Sequence, residues 1–118
     1  MIYLNNIILE KSFDFSVSSV KYYRESIKNN EYVILNQYLR SATSIGANVR
    51  EAQHAQSKRD FISKMYIALK EANEAEYWFK LLKESNSYNL SGIESLLKEC
   101  TEINKILFSL IKTSKKSI

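Results

Sequence analysis

A chain of 118 residues, 45% apolar and 25% charged, fits a single globular domain over residues 1–118 with one core. It has no proline, two glycines (Gly46 and Gly92) and one cysteine, a composition that argues against folds built from many tight turns, excludes an internal disulfide and fits a reducing, cytoplasmic setting. The net charge of +4 permits an anionic partner, while no apolar run approaches the ~18 residues that cross a bilayer, so neither a membrane association nor a signal segment is expected.

Taken in order, the first helix begins between Asn5 and Ser12, both acceptable N-caps, and covers about 8–29. Leu9, Phe13, Val17, Val20 and Ile27 follow helical spacing and form its expected core stripe, with Asn29-Asn30 as its end. The second helix runs over about 31–56. Leu35, Leu39, Ala42, Ile45, Val49 and Ala52 make its apolar face, Arg40, Ser44, Asn48 and Glu51 a narrow polar stripe, and Ser41, Thr43 and Ala47 much of the rest. So little side-chain bulk suits a position with close neighbours on more than one side.

Ser57 to Asp60 has the outline of a capping box and opens a third helix over 58–84. Phe61, Met65, Ala68, Leu69, Ala72, Ala75, Phe79 and Leu82 form its core stripe, and Ile67, Glu71, Glu74, Trp78 and Leu81 share a second face. Residues 84–90 read as the one substantial loop. Ser91 and Glu94 suggest a second capping box before a fourth helix over 92–113, whose stripe is Ile93, Leu96, Leu97, Cys100, Ile103, Leu107, Leu110 and Ile111. Four long helices with short connections predict an all-α fold, an antiparallel up-down-up-down four-helix bundle.

Little in the chain suggests catalysis. His54 and Cys100 are the sole histidine and cysteine and stand at no ligand spacing, so no metal and no cofactor are expected. No histidine is placed with an acid beside a serine, and two glycines make no phosphate-cradling loop. Glu71 and Glu74, one turn apart, would suit paired-carboxylate chemistry, but interface or exposed charges are the simpler interpretation. The expectation is a protein that is not an enzyme.

The run Arg40-Ser41-Ala42-Thr43-Ser44-Ile45-Gly46-Ala47-Asn48-Val49-Arg50-Glu51-Ala52-Gln53 resembles the signature of the small four-helix-bundle proteins encoded in intervening sequences of large-subunit (23S) ribosomal RNA genes. Asp60 to Met65, Ala68 to Ala72, Glu76 to Leu82 and Leu107 to Thr113 are also similar to that family, with Ala42 and Ala75 as small-residue departures from its pattern. The resemblance implies a ring-shaped homopentamer without enzymatic activity. It also implies a kinship with the accessory variability determinants of diversity-generating retroelements, which work with a reverse transcriptase and bind nucleic acid.

Two sets of residues follow as candidates. Arg40, Ser44, Asn48 and Glu51, with Ile67, Glu71, Glu74, Trp78 and Leu81, are expected at the contact between copies, with Arg40 pairing to Glu71 or Glu74 of a neighbour. Lys11, Arg50, Lys58, Arg59, Lys64, Lys112, Lys115 and Lys116 fall at one end of the bundle; Glu10, Asp14, Glu51 and Asp60 offset four of these eight charges and leave +4, the whole net charge. Such an end suits the backbone of RNA or DNA without base specificity, directly or beside a nucleic-acid-associated protein. The alternative is a protein-binding scaffold with no affinity for nucleic acid.

Overall fold

Buried side chains recur every seven residues on all four helices of the computed structural model, which describes residues 2–27, 32–85 and 90–116. The helices are α1 (Ile2–Ser26), α2 (Tyr32–Ala52), α3 (Lys58–Glu84) and α4 (Leu90–Lys116). On α2 the columns are Leu35, Ala42, Val49 and Tyr38, Ile45, Ala52; on α3, Met65, Ala72, Phe79 and Ala68, Ala75, Leu82; on α4, Ile93, Cys100, Leu107 and Leu96, Ile103, Leu110. A strict seven-residue repeat keeps one seam per helix turned inward. Each helix packs on its two neighbours in the cyclic order α1–α2–α3–α4, giving an antiparallel up-down-up-down bundle of 47 × 20 × 19 Å.

Aromatic rings hold the middle of the core. Tyr38 lies between Tyr22 and Phe79, with centroids 6.1 and 5.0 Å away, and Phe15 meets Phe79 edge-on at 6.1 Å. The fully buried alanines Ala42, Ala68, Ala72 and Ala75 leave room for these rings. Each such ring adds about 1.5–3 kcal/mol relative to an exposed one. Tyr38 was absent from the stripe predicted for its helix; it enters the core because its hydroxyl has a partner there, donating to the Ser19 carbonyl.

Several expected boundaries move. α1 starts at Ile2, ahead of both proposed caps, and Asn5 is used sideways: its amide pairs with that of Gln53, just past the end of α2, through two hydrogen bonds of 2.7 and 3.0 Å. α2 ends at Ala52, not 56, as the N–H groups of Gln53, His54 and Ala55 donate to the carbonyls three residues back. Ser57 caps α3 as expected, accepting from the Asp60 N–H at 3.1 Å, while the Asp60 carboxylate accepts from Gln56 N–H rather than from the cap residue itself. α4 opens at Leu90 and runs to Lys116, so Ser91 lies inside its first turn and not at the cap. Asn29-Asn30, the start at Glu31 and loop positions 86–89 lie outside the described residues.

The stripe predicted for α1 is rotated. Phe13 is 57% exposed and Val17 38%, whereas Ile8, Ser12, Phe15, Ser19, Tyr22 and Ser26 are buried. Serines read as solvent-facing in a sequence, but a hydroxyl can satisfy itself on its own helix, as Ser12 does by donating to the Leu9 carbonyl at 3.3 Å. Their small size also allows close helix contact. At Gly46 of α2, an added Cβ would stand 3.1 Å from both the Ser12 carbonyl oxygen and Ser16 Oγ.

Candidate nucleic-acid interface

The antiparallel order brings the C-terminal turns of α2 and α4 together with the N-terminal turn of α3 at one end of the bundle. Arg50 lies in the last turn of α2 and Lys115 and Lys116 in the last turn of α4, where cations complement the helix dipole. Lys58 and Arg59 open α3, where the dipole disfavours them, so helix stability does not account for their presence.

The eight basic residues expected at this end are not equivalent. Because α1 begins at Ile2, Lys11 sits about 13 Å along that helix from its start, at 1.5 Å per residue, where it pairs with Glu102 at 3.5 Å. Lys64 is engaged by Glu51 at 3.1 Å and by Asp60 at 3.8 Å, and the Glu51 hydrogen bond holds its ammonium above the usual lysine range. Lys115 lies over the ring of Tyr66, 4.7 Å from its centroid, and donates to the Tyr66 hydroxyl at 3.2 Å. Arg50, Arg59, Lys112 and Lys116 are exposed and make no ion pair among the described residues. Glu51 and Asp60 are taken up by Lys64 and Glu10 lies beside Arg50, so the basic residues at this end still outnumber the acids.

The residues expected at a contact between copies are brought together within one chain. Arg40 on α2 reaches both carboxylate oxygens of Glu71 at 3.3 Å and closes on Glu74 of α3. Trp78 Nε1 donates to the same Glu74 carboxylate at 2.9 Å, and that bond, with help from Arg40, holds it below the usual carboxylate range. Ser44 Oγ donates to the Arg40 carbonyl at 2.7 Å, Asn48 to the Ser44 carbonyl at 2.8 Å, and Glu51 takes Lys64. This is the stitched outer edge of the α2–α3 seam, where Arg40 meets Glu71 and Glu74 of its own chain. Ile67 remains 43% exposed there, while Leu81 and Trp78 are half-buried.

Two exposed surfaces were not anticipated. On one side, Phe13 and Leu9 of α1 and Thr43, Gly46, Ala47 and Arg50 of α2 line a groove of ≈ 260 Å³. On the other, Phe108 and Lys105 of α4 flank a groove of ≈ 670 Å³ with Leu69 and Asn73 of α3. Among the described residues no group of three or more His, Cys, Asp or Glu comes together as a metal site, and no helix is long and apolar enough to cross a membrane.

Comparison with known proteins places this geometry. The family model described as 23S rRNA-intervening sequence protein matches residues 5–109. A crystal structure of a protein of unknown function from the S23 ribosomal protein family of Bacteroides thetaiotaomicron VPI-5482 superposes with a TM-score of 0.88 at 48% identity, covering 92% of this chain and 98% of that one. Nothing among the curated proteins matches the chain. The chain therefore belongs to the 23S rRNA-intervening sequence protein family.

Proposed function

We propose that this bundle is a non-enzymatic, cytoplasmic accessory protein that binds the phosphate backbone of a nucleic acid at its basic end. The observation that carries this function is the gathering of Arg50, Lys58, Arg59, Lys112, Lys115 and Lys116 at three helix termini, where Lys64 already engages Glu51 and Asp60 and Glu10 lies on the flank beside Arg50. Backbone contacts of this kind release counterions, so affinity falls steeply with salt. The test is titration of RNA and DNA at low and moderate salt. Reversing two charges with Lys58→Glu and Arg59→Glu is expected to weaken binding at least about tenfold and to reduce the salt slope by roughly two. Binding that ignores both salt and these changes, or capture of proteins only, would favour a protein-binding scaffold instead.

A second part of the proposal is self-association, for which the exposed Phe13 and Val17 beside the small residues Thr43, Gly46 and Ala47 provide an apolar face. Five copies is the number implied by the family resemblance. Light scattering at micromolar concentration is expected to give a closed oligomer, and Phe13→Ser with Val17→Ser a smaller species; a monomeric wild type would overturn it.

A further inference from the structure

Five aromatic side chains of the described residues are exposed; Tyr66 and Phe108 lie along the α3–α4 seam, and Tyr77, three helical turns after Tyr66 on the same side of α3, meets Trp78 edge-on at 5.1 Å. Tyr66 and Tyr77 are eleven residues apart on α3, roughly 16 Å at the rise of a helix. Phe108 of the antiparallel α4 stands between them in level, because it shares a groove with Leu69 and Asn73. Along the bundle axis the three rings thus stand at levels roughly 8 Å apart. Tyr66 is 42% exposed, Tyr77 58% and Phe108 61%, so each offers much of its ring to solvent.

Over the same length the unpaired charge on this face is basic. Lys70 falls between the two tyrosines on the exposed side of α3, and Lys105 and Lys112 flank Phe108 on α4. Most acids of α3 and α4 are engaged: Glu71 and Glu74 by Arg40 on the α2 side, Glu102 by Lys11 on the α1 side, and Glu94 by Lys83 across the far end of the α3–α4 seam at 3.5 Å. Glu76 is turned into the seam, where Thr101 Oγ1 and Asn104 Nδ2 donate to it at 3.0 and 3.4 Å and Lys80 pairs with it at 3.7 Å. At the basic end the strip runs into Lys115, already stacked on Tyr66.

We propose that the α3–α4 face is a binding track for single-stranded nucleic acid, on which Tyr66, Phe108 and Tyr77 stack successive bases while Lys70, Lys105 and Lys112 hold the phosphates. The proposal rests on the nucleic-acid function above and specifies its substrate class. Exposed rings alternating with lysines are the arrangement that takes an unpaired strand, since every base has a stackable face. The ring interval excludes a duplex from the same contacts, because bases in a duplex strand stack about 3.4 Å apart and are closed to side-chain rings. A two-fold contact, in which two copies meet through this same face, would set lysine against lysine. No pattern of hydrogen-bonding groups at the rings reads a base edge, so the track is tolerant of sequence.

The experiment uses the full chain and a fluorescein-labelled oligo-uridylate about twenty nucleotides long, with a duplex of equal length beside it, in fluorescence anisotropy. Wild type is expected to bind the single strand more tightly than the duplex. Tyr77→Ala with Phe108→Ala is expected to lower single-strand affinity roughly a hundredfold, and Tyr77→Phe with Phe108→Tyr to retain it, since the rings remain. All four substitutions are at exposed positions, and thermal melting checks that the fold is kept. Equal affinity for both nucleic acids, or alanine variants that bind as wild type, would overturn the track. If Lys58→Glu with Arg59→Glu weakens binding while the alanine variants do not, the basic end stands and the track falls. Alanine variants that change the mass in light scattering would mark the face as a protein contact, and absence of any binding would remove both proposals.

Discussion

Arg40 and Glu74 close on each other across the α2–α3 seam, and Trp78 holds the same carboxylate from the other side. The arrangement is complete within one chain. Its exposed position limits its worth, because water and salt screen a surface ion pair. Arg40→Ala is expected to cost about 0.5–1 kcal/mol in denaturant melts and to leave the oligomeric mass unchanged. A loss of assembly on this substitution would show that Arg40 also serves a contact between copies.

Gly46 tests how closely α1 and α2 approach. In a free helix, alanine for glycine gains about 1 kcal/mol. Here the new Cβ meets the Ser12 carbonyl oxygen at 3.1 Å, and a backbone atom yields only if the whole helix moves. Gly46→Ala is therefore expected to destabilise by about 1 kcal/mol in spite of its propensity, and Gly46→Val by roughly 3. A Gly46→Ala variant more stable than wild type in urea would show that α1 shifts freely.

The Cys100 thiol is buried between α3 and α4, donating to the Ala72 carbonyl at 3.3 Å, and burial, with a smaller push from Glu76, raises its pKa to about 12. A thiol held protonated is a poor nucleophile. Labelling by a disulfide reagent at mildly alkaline pH is expected to proceed only at the rate of unfolding. Cys100→Ala should cost about 1–2 kcal/mol through the lost packing. Rapid labelling of the folded chain would contradict the buried placement.

Glu99 gives a pH signature on the α1–α4 side. Partial burial, then repulsion by Glu102, raises its carboxyl above the usual range; Asp14 adds to this and Lys11 opposes it. An acid whose folded pKa is raised stabilises the fold fully below its unfolded pKa and loses that contribution as pH rises through the folded value. Glu99→Gln is thus expected to raise Tm at neutral pH and to match wild type in acid. A variant less stable at neutral pH would mean that the charged form of Glu99 is held by a favourable contact.

What could be read from the sequence was set by how much each feature depends on a single helix. The heptad stripes of α3 and α4 are properties of one element, so Met65 to Leu82 and Ile93 to Ile111 were legible. The stripe of α1 was not, because its inner positions alternate Ile8, Phe15 and Tyr22 with Ser12, Ser19 and Ser26, and hydroxyls mimic a solvent face. Ile67, Glu71, Glu74 and Trp78 were correctly seen as a second face of α3. Spacing alone does not say whether Arg40 arrives from the same chain or another. The rings of Tyr66, Tyr77 and Phe108 form a row only once α4 is laid antiparallel on α3, a relation no single stretch contains.

The serine column of α1 has a consequence for how the molecule breathes. Half of the six buried positions of α1 are Ser12, Ser19 and Ser26, and Ser19 Oγ has no hydrogen-bond partner among the described residues. Where the other three helices bury mostly alkyl and aromatic groups, α1 buries hydroxyls, and its seam with α4 is the thinnest of the four. Regions with the least apolar burial open at the lowest free energy. The first sub-global excursion of this chain is therefore the lifting of α1 away from a three-helix remainder. Its amide protons are expected to exchange with deuterium ahead of those in α2, α3 and α4, with the core uncovered on that side alone.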